Sequence, residues 1–280
     1  MIGIKLSGRL GNQLFQYAFA YSIAKREKTT FFFDGSTQEY LVSSYFQAPI
    51  PWWNKIIVRF KNIPRIVNII ARICKTVFQE ITLDDSSGPE IEILKGKNWA
   101  IISGYFQSFY YFEQEVIAIR KLFLIREKYA INPSDYFIKD RASVVVHIRR
   151  GDYLTTSLEQ NNAKVIAIDK GYFIKAIRHI KSIISEKYKI YIVSDDIKRV
   201  KEEFLELDDD FIYLSNSTIV DFQLIQHADY LILSNSSFSW WGGFLNTKAK
   251  RIIAPKYWCG FEHQKFFPHS IDYKLHWHWI

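Results

Sequence analysis

The 280-residue chain is 48% hydrophobic, 24% charged and 17% aromatic, which excludes a disordered chain and leaves room for one large domain or, the better expectation, two compact ones. A formal charge of +8 and a pI near 9.2 call for an anionic partner: nucleic acid, a membrane surface or a phosphorylated small molecule. Cys74 and Cys259 are the only cysteines, too few for a disulfide framework and without metal-ligand spacing, so both read as core thiols in a reducing compartment.

Ile2 to Ser7 alternates like a strand, and is followed by Gly8 and Gly11, the helix-like LFQYAFAYSIAKREK and the strand-like TTFFFD ending at Asp34. Lys5 and the glycines break the first apolar run too early for a signal peptide, and no run of about eighteen uncharged apolar residues follows. The expected location is the cytoplasm, in solution or peripheral to the inner face of a membrane. Asn98 to Phe106 reads as a strand and Glu113 to Phe123 as a helix, with residues 35–97 an atypical insertion. Within it, residues 52–79 carry Lys55, Arg59, Lys61, Arg65, Arg72 and Lys75 and no acidic residue. Wound as a helix from Arg65, this segment gathers Ile66, Ile69, Ile70, Ile73, Val77 and Phe78 on one face and Arg65, Arg72 and Lys75 on the other. It is either a surface helix with a solvated basic side or a device for docking on an anionic membrane leaflet.

From Ser143 the alternation is regular: the strands SVVVHI, KIYIVS, FIYLS, YLILS and RIIAP, separated by helical patterns and a Trp-rich segment. Apolar strands alternating with helices predict a doubly wound parallel sheet. The periodicity breaks around Asn132 and Pro133, so residues 1–135 and 136–280 are the expected domains. The fold class is therefore α/β, with two Rossmann-like domains facing across a cleft.

Ligands in such sheets bind beyond the carboxyl ends of strands. HIRRGD follows SVVV, SDD follows YIV and SNSS follows YLIL, so three strand ends bring polar groups to one edge. In the first, Arg149 and Arg150 offer guanidinium forks that match phosphate oxygens, with Asp152 able to orient one. The alternative is a structural Arg–Asp pair, although a second arginine buried without an anion would be costly. Ser194 to Asp196 can hold a divalent metal, cap the next helix, or accept hydrogen bonds from a guanine edge or ribose; the last is preferred, because the arginines already supply positive charge.

The serines of SNSSFSWWGG offer hydroxyls and helix-start N–H groups to the same ligand, while Trp240 and Trp241 are either core or a wall for a sugar ring. GRLGN, residues 8–12, is either a phosphate-binding turn or an ordinary βα turn capped by Asn12, and it lacks the dinucleotide spacing. No hydrolase triad order, zinc-protease motif, P-loop or nucleic-acid-binding module is present.

GRLGNQLFQYAFA, HIRRGDY, SDD and SNSSFSWWGG, in this order over most of the chain, resemble the bacterial α1,2-fucosyltransferases, glycosyltransferase family 11. The resemblance implies a metal-independent inverting enzyme of GT-B fold. It would have no cofactor and would transfer L-fucose from GDP-β-L-fucose to the 2-hydroxyl of a terminal galactose in an oligosaccharide or surface polysaccharide. It further implies Arg149 on the β-phosphate, Arg150 and Asp152 in support and His147 near the nucleotide. Gly8, Gly11 and Asn12 would face the donor from the first domain. Asn235, Ser236, Ser237 and Phe238 would line the nucleotide site, and Asp195 and Asp221 would hold guanosine. The general base is not evident; Asp152 is the one carboxylate inside the arginine motif. Another GDP-sugar transferase, or a sugar- or nucleotide-binding module without catalysis, is the alternative.

Overall fold

Seven residues from Ala142 to Ile148 form a strand with every side chain buried, and the second half of the molecule is arranged around it. The structure is a computed structural model that describes residues 1–34, 39–55, 76–83, 96, 99–156, 165–205, 207 and 210–280. It divides into unit 1, residues 1–126 with 268–274, and unit 2, residues 127–267 with 275–280. The expected boundary fell a little later, and the sequence carried no sign that 268–274 returns to the first unit.

Unit 1 holds a parallel four-stranded sheet of β1 (Ile2–Lys5), β2 (Phe31–Asp34), β3 (Gln79–Thr82) and β4 (Ala100–Ser103), in the order β2-β1-β4-β3. The insertion thus contributes a strand that was not predicted. The long helix α1 (Leu10–Arg26) is buried on nearly all sides, consistent with its run of Leu14, Phe15, Tyr17, Ala18 and Phe19. Two buried glutamines tie it to loops. Gln16 accepts from the Ser7 amide and donates to the Gly104 carbonyl, while Gln13 donates to the Glu39 carbonyl and accepts from the Leu41 amide. Buried Asn54 pairs with both the N–H and the carbonyl of Phe33, covering the edge of β2 as a neighbouring strand would. The short helices α2 (Leu41–Tyr45) and α3 (Val116–Leu122) also lie in this unit. Of the basic amphipathic segment, residues 56–75, Cys74 among them, lie outside the described residues; at its end Phe78 is buried but Val77 is 48% exposed, so Val77 does not share the apolar face predicted for it.

Unit 2 holds a parallel six-stranded sheet. Its strands are β5 (Ala142–Ile148), β6 (Tyr188–Ser194), β7 (Phe211–Leu214), β8 (Tyr230–Ile232), β9 (Arg251–Ala254) and β10 (His278–Trp279), in the order β10-β9-β8-β5-β6-β7. Side-chain alternation along β5 sends Val144, Val146 and Ile148 to one core and Val145 to the other. The first core is covered by α4 (Lys170–Ile183), whose Phe173, Ala176, Ile177 and Ile180 recur at helical spacing, and by α5 (Ile197–Glu203). The second is covered by α6 (Thr218–His227) and α7 (Ser237–Leu245). A strand buried on both faces reads as a continuous apolar run, which is why SVVVHI does not alternate.

Trp240 and Trp241 are fully buried, so of the two readings the core holds. Trp240 stacks on Phe244 at 4.8 Å, and α7 lies so close to α6 that a β-carbon on Gly242 would stand 2.6 Å from Ile225. Gly242→Ala is therefore expected to cost about 1–3 kcal/mol by overpacking. Thermal unfolding should record this as a fall of several degrees.

Candidate active site

Parallel pairing aligns Ile148 with Ser194 and Val146 with Ile232, so β5, β6 and β8 all end at one edge of the unit 2 sheet. There the chain delivers Arg149 to Asp152 from β5, Asp195 and Asp196 from β6, and Ser234 to Ser237 from β8. The three polar clusters expected to converge do so within this unit.

The two arginines diverge because consecutive residues of an extended chain face opposite ways. Arg150 turns to the α4/α5 side and is buried. Its Nε donates to Glu203 at 2.8 Å, its Nη1 to the carbonyls of Ile168 and Arg149, and its guanidinium lies 5.5 Å from the Phe173 ring centre. The anion that a second buried arginine needs is therefore Glu203, on α5, which the sequence reading did not single out.

Arg149 keeps to the strand edge. Its Nη1 lies 3.0 Å from Asp195 Oδ2, its Nη2 donates to Asp152, and its guanidinium stands over the Tyr153 ring. Its Nε is buried without a hydrogen-bond partner. The Asp152 carboxylate is about half exposed.

Asp195 links the two arginines. Oδ1 accepts from the Arg150 amide at 2.8 Å while Oδ2 faces Arg149. This requires a glycine next: Gly151 has φ +24°, and a β-carbon there would lie 2.3 Å from Asp195 Oδ2. Asp196 does something else, capping α5 through the Arg199 amide. The helix-cap alternative for SDD thus holds for its second aspartate, and the first is occupied by the arginine motif. Among the described residues no three His, Cys, Asp or Glu side chains gather as metal ligands.

On the opposite face of β5, His147 is buried with Nδ1 2.8 Å from Ser234 Oγ and its ring 5.5 Å from that of Phe238. Burial, and then the Arg149 cation, pull its imidazole down to about 3. Asn235 is buried, donating to the Ile166 carbonyl and to Cys259 Sγ, and its Oδ1 has no partner. Cys259 is a core thiol, as read, pushed up to about 12 by burial. Ser236 stands at the N-cap of α7 without a side-chain cap bond, which leaves the helix start uncapped by its own serine. Asp221, in the first turn of α6, is buried, accepts from Asn216 at 3.0 Å, and is raised to about 6 by burial.

In unit 1, Gly8 has φ +74° and a β-carbon there would meet Asn12 Nδ2 at 2.3 Å. Asn12 folds back over the turn and accepts from Gln107. The N-cap of α1 is Arg9, not Asn12, and Gly11 is buried in the first turn.

The fold is similar to that of solved fucosyltransferases. Fucosyltransferase NodZ from Bradyrhizobium superposes with a TM-score of 0.53 at 15% identity, covering 90% of this chain and 94% of its own. FUT1 of Arabidopsis thaliana, solved in complex with GDP, gives 0.52 at 10% identity over 90% and 69%. At such identities the likeness speaks for the fold. Two Escherichia coli relatives lie nearer in sequence. An alpha-1,2-colitosyltransferase is 29% identical over 267 residues, 91% of each chain, and the O-antigen biosynthesis glycosyltransferase WbnK is 28% identical over 294 residues, 90% of this chain and 93% of its own. The protein is an α/β glycosyltransferase. It belongs to glycosyl transferase family 11, whose model matches residues 1–280.

The Arg150–Glu203 pair generates one prediction. Glu203→Gln strands a buried guanidinium and should cost about 3 kcal/mol, whereas replacing both partners with Arg150→Met and Glu203→Leu should cost far less. Denaturant titration of the two variants separates these outcomes.

His147 generates another. Its folded value is depressed from 6.5 to about 3, so its contribution is complete above pH 6.5 and is lost as pH falls through that window, where the unfolded chain alone takes up the proton. Asp221, raised from 3.8 to about 6, has the opposite sign: its contribution is present below 3.8 and lost as pH rises through 6. His147→Asn should therefore shrink the stability loss between about pH 7 and pH 4.5 in urea unfolding. An unchanged loss would place the imidazole in water.

Proposed function

We propose that this chain is an inverting galactoside α1,2-fucosyltransferase, which transfers L-fucose from GDP-β-L-fucose to the 2-hydroxyl of a terminal galactose of an oligosaccharide or surface polysaccharide. The observation that carries the reading is Arg149. It stands at the carboxyl end of the central strand, steered by Asp195 and Asp152, with a buried Nε that has no partner. Arg150, already neutralised by Glu203, holds the turn in place.

As the anomeric bond breaks, negative charge builds on the departing diphosphate, so a guanidinium aimed there stabilises the transition state more than the ground state. Asn235 Oδ1, buried without a partner, offers an acceptor to the nucleotide beside Ser236 and Ser237 at the start of α7. His147, buried and neutral, keeps β5 and the Ser234 turn in register beneath the nucleotide. Asp221, with its raised carboxyl, is assigned to the guanosine. Attack by the acceptor hydroxyl from the face opposite the diphosphate turns the β-linked donor into an α-linked product.

The reading includes a GT-B plan, with unit 2 as the donor domain and unit 1 as the acceptor-side domain, from which Gly8, Gly11 and Asn12 face the donor. It includes no metal, since the arginine supplies the counter-charge. No described helix is long and apolar enough to cross a membrane. Peripheral contact of a cytoplasmic enzyme with anionic lipid is supported by the charge of residues 52–79. The relative named as an alpha-1,2-colitosyltransferase favours a second reading, with a colitosyl donor in place of the fucosyl one. Parallel assays with the two donors distinguish them.

Arg149→Ala should lower turnover with GDP-fucose by at least roughly 10²-fold, and Arg149→Lys should recover little because the fork is gone. Near wild-type turnover in Arg149→Ala would falsify the leaving-group role. Activity should survive EDTA; loss in chelator, restored by Mn²⁺, would return Asp195 and Asp196 to metal binding.

A further inference from the structure

Unit 1 contains a cavity of about 360 Å³ that plays no part in the site described above. One wall is the carboxyl-terminal half of α1, with Phe19, Ser22, Ile23 and Lys25, and the other is the 3₁₀ segment Phe109–Glu115. Along α1, Ser22 lies roughly 15 Å beyond Asn12, at about 1.5 Å of rise per residue. The cavity is therefore well removed from the strand-end loop that carries Gly8 and Asn12.

Three observations define what fits there. The Ser22 hydroxyl is buried, the residue being only 8% exposed, and it has no hydrogen-bond partner. A helical serine ordinarily bonds back to its own helix; this one is left with a donor and an acceptor. The aromatic side is fixed, since Tyr111 stands edge-on to Phe19 at 5.3 Å and Tyr110 edge-on to Tyr273 at 5.3 Å, yet Tyr110 is 41% exposed and presents an open ring. The rim is balanced in charge: Lys25 pairs with Glu115, Arg26 pairs with Glu27, and Glu113 receives the hydroxyl of Tyr273 and the ammonium of Lys274. A cavity with carboxylates, a buried hydroxyl, an aromatic face and no net charge suits a neutral ligand rich in hydroxyl groups with one apolar face. That is the chemistry of a sugar ring, and the volume lies within the range of ligand pockets.

We propose that this cavity is a secondary glycan-binding site that holds a sugar residue of the acceptor other than the one receiving the transferred sugar. It rests on the transferase reading only for the identity of the glycan. The transferred-sugar site would then select the terminal residue, and this cavity would favour longer chains by adding a second point of attachment.

The test uses the full chain, without nucleotide, titrated by calorimetry and saturation-transfer NMR with a galactose-terminated tetrasaccharide. Ser22→Ala removes an unpartnered hydroxyl and adds helix propensity, so it should unfold no earlier than wild type. It should weaken tetrasaccharide binding by about 10-fold, the scale of one hydrogen bond, and Tyr110→Ala should do the same. In transfer assays both variants should raise KM for the tetrasaccharide while leaving kcat and KM for methyl β-galactoside at wild-type values. Absence of tetrasaccharide binding in wild type, or binding unchanged in both variants, overturns the site. Cavity-dependent binding without fucosyl transfer keeps the site and removes the fucosyltransferase reading; transfer with unaffected variants does the reverse.

Discussion

A guanidinium at the buried end of a strand has to meet an anion, and Arg150 meets Glu203 at 2.8 Å with the Ile168 carbonyl closing the other side of the fork. Once that pair forms, the direction of the chain beyond β5 is set. The Arg150 amide faces Asp195, Gly151 turns where a side chain would collide with that carboxylate, and Arg149 is left on the strand edge between Asp195 and Asp152. One arginine is consumed so that its neighbour is held in a single orientation. A charge aimed in advance stabilises a transition state without reorganising during the reaction.

The remainder of the site depends on parallel pairing. Because β8, β5 and β6 are registered side by side, polar residues from distant parts of the chain arrive at a common edge without a long loop. The core beneath is apolar on both faces, and burial against it explains why His147 stays neutral at its Ser234 contact and why Asp221 holds its proton to higher pH. Rigid strand ends with few soft connections place catalytic groups more accurately than loops do.

Most of unit 2 was legible because buried parallel strands leave long apolar runs and α4 repeats its core residues at strict helical spacing. The arginine motif and the serine turn could be read for the same reason, since each follows such a run. Glu203 was not, because in the segment KEEF nothing local distinguishes it from Glu202, and only packing against β5 selects it. β3, with the sequence QEIT, has little apolar signature and is a strand by virtue of its pairing with β4. β10 is two residues long and is defined wholly by β9. Asn12 looked like a helix cap, but α1 starts earlier, at Leu10, and its side chain is spent on the Gly8 turn. Gln13 and Gln16 bond to loops far along the chain, which no local pattern records.

The return of residues 268–274 to unit 1 bears on the order in which the molecule can be made. Ser270 accepts from the Ser108 hydroxyl through its carbonyl, and Tyr273 and Lys274 reach Glu113, contacts that span about 160 positions of sequence. Unit 1 thus cannot be completed until nearly all of unit 2 has been translated, because its closing segment follows residue 267. During synthesis its 3₁₀ segment waits with an incomplete set of partners, while unit 2 lacks only its own last strand. A chain cut shortly before residue 268 would lose β10 from unit 2 and, at the far end of the sequence from the cut, the partners of Ser108 and Glu113 in unit 1.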